Sequence, residues 1–275
     1  VARGPDIKPT PGGEVEFGAV RFAGTDRYSV VRLLGQGASG DVYEVQDEQA
    51  GRRVALKLLR EVTPDRLLRF KEEFRQVADL SHPNLVTLYD LEVSEGRWFF
   101  TMELIDGVDF IRHVRPAGLD EGRLRDALAQ LIEALGALHR FGTVHRDVKP
   151  SNVLVDSTGR VVVLDFGLAA TRAVESADTL SMVELAGTPA YMSPEQANGA
   201  PATPESDWYA VGTLLYQALT GELPFSGSVL KVLLDKRVRS APPLASEAAS
   251  EDLIAVTQGL LARDATARPR FDSLA

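Results

Sequence analysis

The 275-residue chain contains no cysteine, only four histidines, and aromatic residues at 7%. The missing thiols exclude a disulfide framework, Cys-ligated zinc, iron–sulfur clusters and thiol catalysis. Basic residues are also in deficit: 30 Lys plus Arg against 39 Asp plus Glu leave a net charge of −9. That excludes a protein whose task is to coat nucleic acid or an anionic lipid surface, so any polyanion must be held by a local site. Long hydrophobic runs are absent too. Asp165 cuts the stretch from Val161 to Ala170, and Val211 to Leu219 is far short of the roughly 18 continuous apolar residues a membrane helix needs. No membrane contact is expected of this segment, and the expected setting is cytoplasmic. Val1 opens neither with an initiator Met nor with a signal-peptide pattern, and Arg270 to Ala275 stop in what reads as a helix start. Both ends therefore read as cuts through a longer polypeptide.

What is present is an ordinary globular balance of 44% apolar and 25% charged residues. Residues 1–27 open with VARGPDIKPTPGG and read as a tail or linker. From Tyr28 short β-rich runs follow: YSVVRLLG, DVYEVQD and RRVALKLL, simplest as three antiparallel strands. Leu67, Phe70, Phe74, Val77 and Leu80 then recur near a 3.6 period after Thr-Pro-Asp, which predicts a helix over Thr63 to Leu80. Two more strands are expected around Leu85 to Leu91 and Trp98 to Leu104. Past Asp106-Gly107 the pattern turns helical, with an apolar stripe at Leu124, Leu128, Leu131, Ile132, Leu135 and Leu138. Short strands at Val153 to Val155 and Val161 to Leu164 precede a Ser/Thr-rich stretch to about Leu185. After Pro194 the chain reads as mostly helical, with loops at Gly199 to Ser206 and Ser240 to Ser250. The fold class is α+β: a small antiparallel β-rich lobe with one major helix over 28–105, and a larger, mainly helical lobe over 106–275.

Gly35-Gln36-Gly37-Ala38-Ser39-Gly40 fits G-x-G-x-x-G, a weak signal by itself. A dinucleotide fingerprint must open a helix, whereas Asp41-Val42-Tyr43-Glu44-Val45 alternates like a strand. A glycine flap between strands, with backbone N–H groups open to phosphate oxygens, fits better. Lys57 follows Gly40 by seventeen residues on the third strand and shares a face with Ala55. Glu73 lies on the inward face of the next helix, with Glu72 further round; an inward carboxylate needs a partner, and Lys57 is the expected one.

The most specific segment is Val144-His145-Arg146-Asp147-Val148-Lys149-Pro150-Ser151-Asn152-Val153-Leu154, with Asp165-Phe166-Gly167 beginning eighteen residues after Asp147. Together with Gly187-Thr188-Pro189-Ala190-Tyr191-Met192-Ser193-Pro194-Glu195, it resembles the Hanks-type (eukaryotic-like) protein kinases over roughly Tyr28 to Leu274. Tyr191 to Gln196 is similar to bacterial members in particular. Lys at two residues past Asp147 resembles the Ser/Thr branch.

The resemblance implies ATP with magnesium, or manganese in its place, and transfer of the γ-phosphoryl group to Ser/Thr hydroxyls of protein substrates in signalling. It implies Asp147 as the residue aligning the acceptor hydroxyl, Lys149 near the γ-phosphate, Lys57 on the α and β phosphates oriented by Glu73, and Asn152 and Asp165 as metal ligands. The nucleotide site would comprise Gly35, Gly37 and Gly40, then Val42, Ala55 and Leu154 around adenine, Met102 behind it, and backbone groups of Glu103 and Ile105 at its edge. Arg146 would read a phosphate on the 168–186 loop, where Thr171, Ser176, Thr179 and Ser181 are acceptors and spacing favours Thr179 and Ser181. Thr188 is expected to bond Asp147 and Lys149 instead. Asp207 to Gly212 resembles the helix that ties down the catalytic loop, and Arg268 the arginine that pairs with Glu195. His145 is expected to pack beside Asp147, and His82, His113 and His139 to have packing or surface roles.

Two other classes compete: a silent pseudokinase scaffold, against which Lys57, Asn152 and Asp165 are all retained, and a small-molecule kinase, against which the peptide-groove segment 187–195 speaks. A homodimer phosphorylating in trans is compatible with the reading, and no nucleic-acid partner is expected.

Overall fold

The structure, a computed structural model, describes residues 22–37, 40–60, 63–166, 188–245, 249–269 and 271. Strands β1 (Tyr28–Gly37), β2 (Gly40–Asp47), β3 (Arg52–Leu59), β4 (Leu88–Ser94) and β5 (Arg97–Met102) form an antiparallel sheet in the order β1-β2-β3-β5-β4. The β4–β5 hairpin turns on Glu95 (φ 51°) and Gly96 (φ 74°), the two positive φ angles of a tight turn matched to strand twist. Alternation divides β3: Ala55, Lys57 and Leu59 face the inside, and Val54 and Leu56 join Tyr28, Tyr43, Val45 and Phe99 in a separate outer cluster.

Helix α1 (Pro64–Ala78), opened by Pro at its first position, lays Phe70 and Phe74 on Phe100, with ring centroids 5.9 and 5.7 Å away. Strand β6 (Gly107–Asp109) leads into the short α2 (Phe110–Val114) and then α3 (Glu121–Arg140), whose Leu124, Leu128, Leu131, Leu135 and Leu138 are buried. Strand β6 pairs with β7 (Val153–Asp156), and β7 with β8 (Val161–Val163). Helices α4 (Pro194–Ala197), α5 (Pro204–Thr220), α6 (Val229–Val238) and α7 (Glu251–Leu260) complete the larger lobe. Helix α5 is buried nearly all round from Ser206 to Leu215, which makes it the centre of that lobe.

Three expectations change. The tail does not extend to residue 27, because Phe22 is buried with its ring 5.8 Å from Tyr43 and 5.7 Å from Phe99. Arg27 grips Asp47 through two nitrogens (3.1 and 2.8 Å) and reaches Asp90 and Glu92 at 2.9 Å each. The contact with Arg27 holds the Asp47 carboxyl down at about 2 against the opposing effect of burial. One aromatic and one arginine in a polar stretch give no periodic signal, yet the apolar outer face of the sheet needs a cover. The strand expected at Leu85 to Leu91 begins at Leu88; Leu85 instead bridges Val163 in the larger lobe, and Val86 N–H donates to Val163 O at 3.0 Å. Helix α5 takes over the end of the loop expected at Gly199 to Ser206.

Replacing Phe22 by Ala removes a buried ring from the outer cluster and is expected to cost about 3–5 kcal/mol. A urea or thermal unfolding series against the unaltered chain checks it, and an unchanged midpoint contradicts the packing role.

Candidate active site

Lys57 is 6% exposed on the inner face of β3, between Val42 across one strand pair and Phe100 across the other. Its Nζ lies 2.6 Å from Asp165 Oδ2, and the partner expected from the sequence, Glu73, is not its partner here. Glu73 Oε1 instead accepts from Arg146 Nη1 at 3.4 Å. Glu73 does lie on the inward side of the helix, half-buried, with Glu72 exposed. What periodicity does not give is how close the helix stands to β3 or which cation a carboxylate meets first. Burial pushes the Asp165 carboxyl up, but the Lys57 ammonium outweighs it, with smaller help from His145 and Lys149, and the net direction is down. Asp165 Oδ1 is buried with no hydrogen-bond partner among the described residues, although the side chain as a whole is 27% exposed.

The catalytic-loop residues form one connected set. Asp147 Oδ2 accepts from Asn152 Nδ2 at 3.0 Å and stands 2.9 Å from Lys149 Nζ, while Asn152 Nδ2 also donates to the Asp147 carbonyl at 2.9 Å. The loop is held by Asp207 of α5, itself 1% exposed. Its Oδ2 accepts from His145 N–H (2.7 Å) and faces His139 Nε2 (2.8 Å), and its Oδ1 accepts from Arg146 N–H (2.8 Å). Arg146 has φ 71° and Asp165 φ 56°, left-handed conformations that persist in non-glycine residues only where surroundings over-determine them. At Arg146 the over-determination is the Asp207 carboxylate. His145 packs as expected, and its Nδ1 accepts from Asp147 N–H at 3.2 Å. His139 does more than pack: it carries a buried carboxylate contact and stands edge-on to Trp208.

The glycine loop is the hairpin between β1 and β2, with Gly37 opposite Gly40. Gly40 has φ +146°, and a Cβ there would fall 2.1 Å from Leu58 O, so β3 alone dictates this glycine. At Gly35, by contrast, an added Cβ meets nothing within 4 Å, which leaves open space for a ligand. Ala55 pairs with Met102, both buried, and Val42 and Leu154 lie on β2 and β7. Glu103 N–H is spent on Thr87 O at 2.9 Å, so the backbone group it can offer an adenine edge is its carbonyl. Its side chain accepts from Arg160 Nη1 at 2.7 Å and Nη2 at 3.2 Å, a tie to the β7–β8 turn that no local pattern signals. No group of three or more His, Cys, Asp or Glu among the described residues could hold a metal. Two hard oxygen donors, Asn152 and Asp165, fit magnesium, which keeps several waters and rarely takes a full protein cage.

This geometry agrees with the comparisons. Residues 28–275 match the protein kinase domain family. The chain belongs to that family. It is 40% identical over 252 residues to the DNA damage-responsive serine/threonine-protein kinase RqkA of Deinococcus radiodurans, covering 89% of this chain and 38% of that protein. It is 38% identical over 226 residues to serine/threonine-protein kinase PknA of Mycobacterium tuberculosis, covering 79% and 52%. Against serine/threonine-protein kinase PrkC of Bacillus subtilis it is 34% identical over 223 residues, covering 80% and 34%. The chain thus spans about a third to a half of the length of these relatives.

In this kinase domain the segment that follows residues 167–187 is fixed by Glu195. Its carboxylate takes a two-point contact from Arg268 (2.7 and 2.8 Å) and a hydrogen bond from Ser206 Oγ (2.9 Å). Arg268 has a fully buried side chain and also donates to Ala262 O and Glu205 O. Gly167, the four Ser/Thr acceptors Thr171, Ser176, Thr179 and Ser181, and the Thr188 side chain lie outside the described residues.

Burial drives the Glu195 carboxyl up, and Arg268 overrides it to give about 2. A depressed carboxyl stabilises the fold above its unfolded pKa of roughly 4.3 and loses that contribution as pH falls towards the folded value. Arg268→Ala is therefore expected to cost about 3–5 kcal/mol at neutral pH. In urea unfolding, the gap between variant and parent should narrow as pH drops from about 4.5 towards 2. A gap constant with pH contradicts the ion pair as its cause.

Proposed function

We propose that this domain is an ATP- and magnesium-dependent serine/threonine protein kinase that labels protein hydroxyls and its own 168–186 segment. The observation that carries the reading is the pairing of Lys57 with Asp165 at 2.6 Å beside a second cluster in which Asp147 meets Asn152 and Lys149 at 3.0 and 2.9 Å, with the Lys149 charge also acting on Asp165. Asp165 is bonded to Lys57, and Asn152, Asp147 and Lys149 to one another. Phosphoryl transfer needs positioning and charge stabilisation, with little covalent work by the protein.

In the productive arrangement the acceptor oxygen attacks the γ-phosphorus, the bond to the bridging β–γ oxygen breaks, ADP leaves, and the hydroxyl proton passes to the Asp147 carboxylate. Asn152 and Lys149 hold that carboxylate by two contacts to Oδ2, and Asn152 also bonds the Asp147 carbonyl, which fixes the side chain against the acceptor. Lys149 stands where charge develops on the transferred group. Bound magnesium neutralises phosphate charge, and Asp165 with Asn152 would hold it.

Lys57 must leave Asp165 to reach the phosphates. Glu73, now on Arg146, is the carboxylate able to receive it once α1 moves in. A phosphate on the 168–186 segment, with roughly −1.5 to −2 charge, competes with Glu73 for Arg146 and drives that exchange. Protein substrates belong to the same proposal, supported by the bacterial serine/threonine kinases this chain is similar to, and a homodimer acting in trans is compatible with it.

The test is incubation with labelled ATP and magnesium. Wild type is expected to carry label on Ser or Thr between residues 171 and 181, and Asp147→Asn to lose label by at least about 100-fold. Equal label on both proteins would sink the reading. Glu73→Gln is expected to slow labelling about 10-fold or more, with phosphopeptide mapping unchanged.

A further inference from the structure

One titratable side chain of the large lobe is fully buried and unused by the chemistry above: Lys236 of α6, at 0% exposure. In sequence it sits in Leu234-Asp235-Lys236-Arg237-Val238 and reads as one solvated charge among several. A buried ammonium costs several kcal/mol unless it is satisfied. Its satisfaction is specific. Nζ donates to Ala190 O at 2.7 Å and Met192 O at 2.6 Å, and it lies 4.9 Å from the Tyr209 ring centroid and 5.6 Å from that of Phe225.

The acceptors are carbonyls two residues apart, on a strip that otherwise has no regular ladder. Between them, Tyr191 sends its side chain the other way, where its hydroxyl contacts Gln217 Oε1 at 2.5 Å. The neighbouring residue of α6, Arg237, donates through Nε to Ala197 O at 2.7 Å, at the far end of α4. Helix α6 thus grips the stretch from 190 to 197 at both ends. Tyr191 and Met192 also face the catalytic loop: with Arg146, Asp147 and Val148 they line a cavity of about 20 Å³, room for roughly one water. Whatever fixes the carbonyls of 190 and 192 fixes the wall opposite Asp147.

We propose that Lys236 is a positioning residue for the protein substrate: it clamps the 190–192 backbone so that an acceptor peptide can lie against it with its hydroxyl at Asp147. This rests on the phosphotransfer reading above and assigns its substrate-side geometry to a residue that touches neither nucleotide nor acceptor. Burial pushes the Lys236 ammonium down, to about 7, and the Glu195 charge pulls the other way. A lysine kept there despite that opposition is costly as mere packing, because an apolar side chain of similar length fills the same space without it.

The test compares Lys236→Met, which matches the stem without the charge, and Lys236→Arg, which keeps charge and donors. The acceptor is a synthetic peptide of residues 168–187 of this chain, and self-labelling is followed in parallel. Lys236→Met is expected to raise KM for the peptide roughly 10- to 100-fold and slow self-labelling comparably. KM for ATP should stay within about twofold and the unfolding midpoint within a few degrees, and Lys236→Arg should recover most of the loss. If the Met variant does not fold, the Arg variant carries the comparison, with KM for peptide above that for wild type and KM for ATP unchanged. An unchanged peptide KM and self-labelling rate overturn the clamp. So does a parallel rise in both KM values tracking a fall in midpoint, which would make Lys236 structural. Absence of any transfer by wild type is a different failure: it removes the phosphotransfer reading, and the clamp with it.

Discussion

The carboxylate of Asp207 is the contact on which the rest of the site hangs. A nearly inaccessible anion in the first turn of a buried helix is tolerable only if donors surround it, and the chain supplies three from residues 139 to 146. Those donors lie more than sixty positions away in sequence. Satisfying the anion therefore forces the catalytic loop onto α5 and holds Arg146 in a left-handed conformation it would otherwise avoid. Asp147 follows immediately and inherits that constraint. The orientation of one carboxylate in the cleft is thus set by the electrostatic demand of another in the core.

A second constraint runs through charge bookkeeping in the cleft. Two cations, Lys57 and Arg146, face two carboxylates, Asp165 and Glu73, and the pairing adopted is Lys57 with Asp165 and Arg146 with Glu73. In the exchange proposed above Lys57 passes to Glu73 while Arg146 turns to a phosphate and Asp165 to the metal, so that choice rests on displacement of α1 and on what else is bound. Such an exchange is how a modest local charge change is converted into a rearrangement of the lobe.

How much of this could be read from the residues alone depended on whether the signal was local. Strand alternation put Lys57 on the face of Ala55, and helical periodicity put Glu73 inward, because each rests on a fixed geometric period. The catalytic loop and its supporting helix were recognisable because their spacing is specific. The partner of Lys57 was not, since it depends on a distance between two elements that no period encodes. Lys236, Arg27 and the Arg160–Glu103 tie were invisible for a related reason. Each is a long charged side chain whose sequence neighbourhood is ordinary, and each becomes distinctive only when distant segments close around it.

The outer cluster of the small lobe shows where the folding unit starts. Similarity to the family begins at Tyr28, but Phe22 and the guanidinium of Arg27 already cover and staple the far side of the sheet. The boundary drawn by homology and the boundary drawn by solvation differ by six residues. An expression fragment trimmed to the former would lose the ring that covers Tyr43 and one side of Phe99 and leave three acidic side chains without their common counterion, inviting self-association that has nothing to do with signalling.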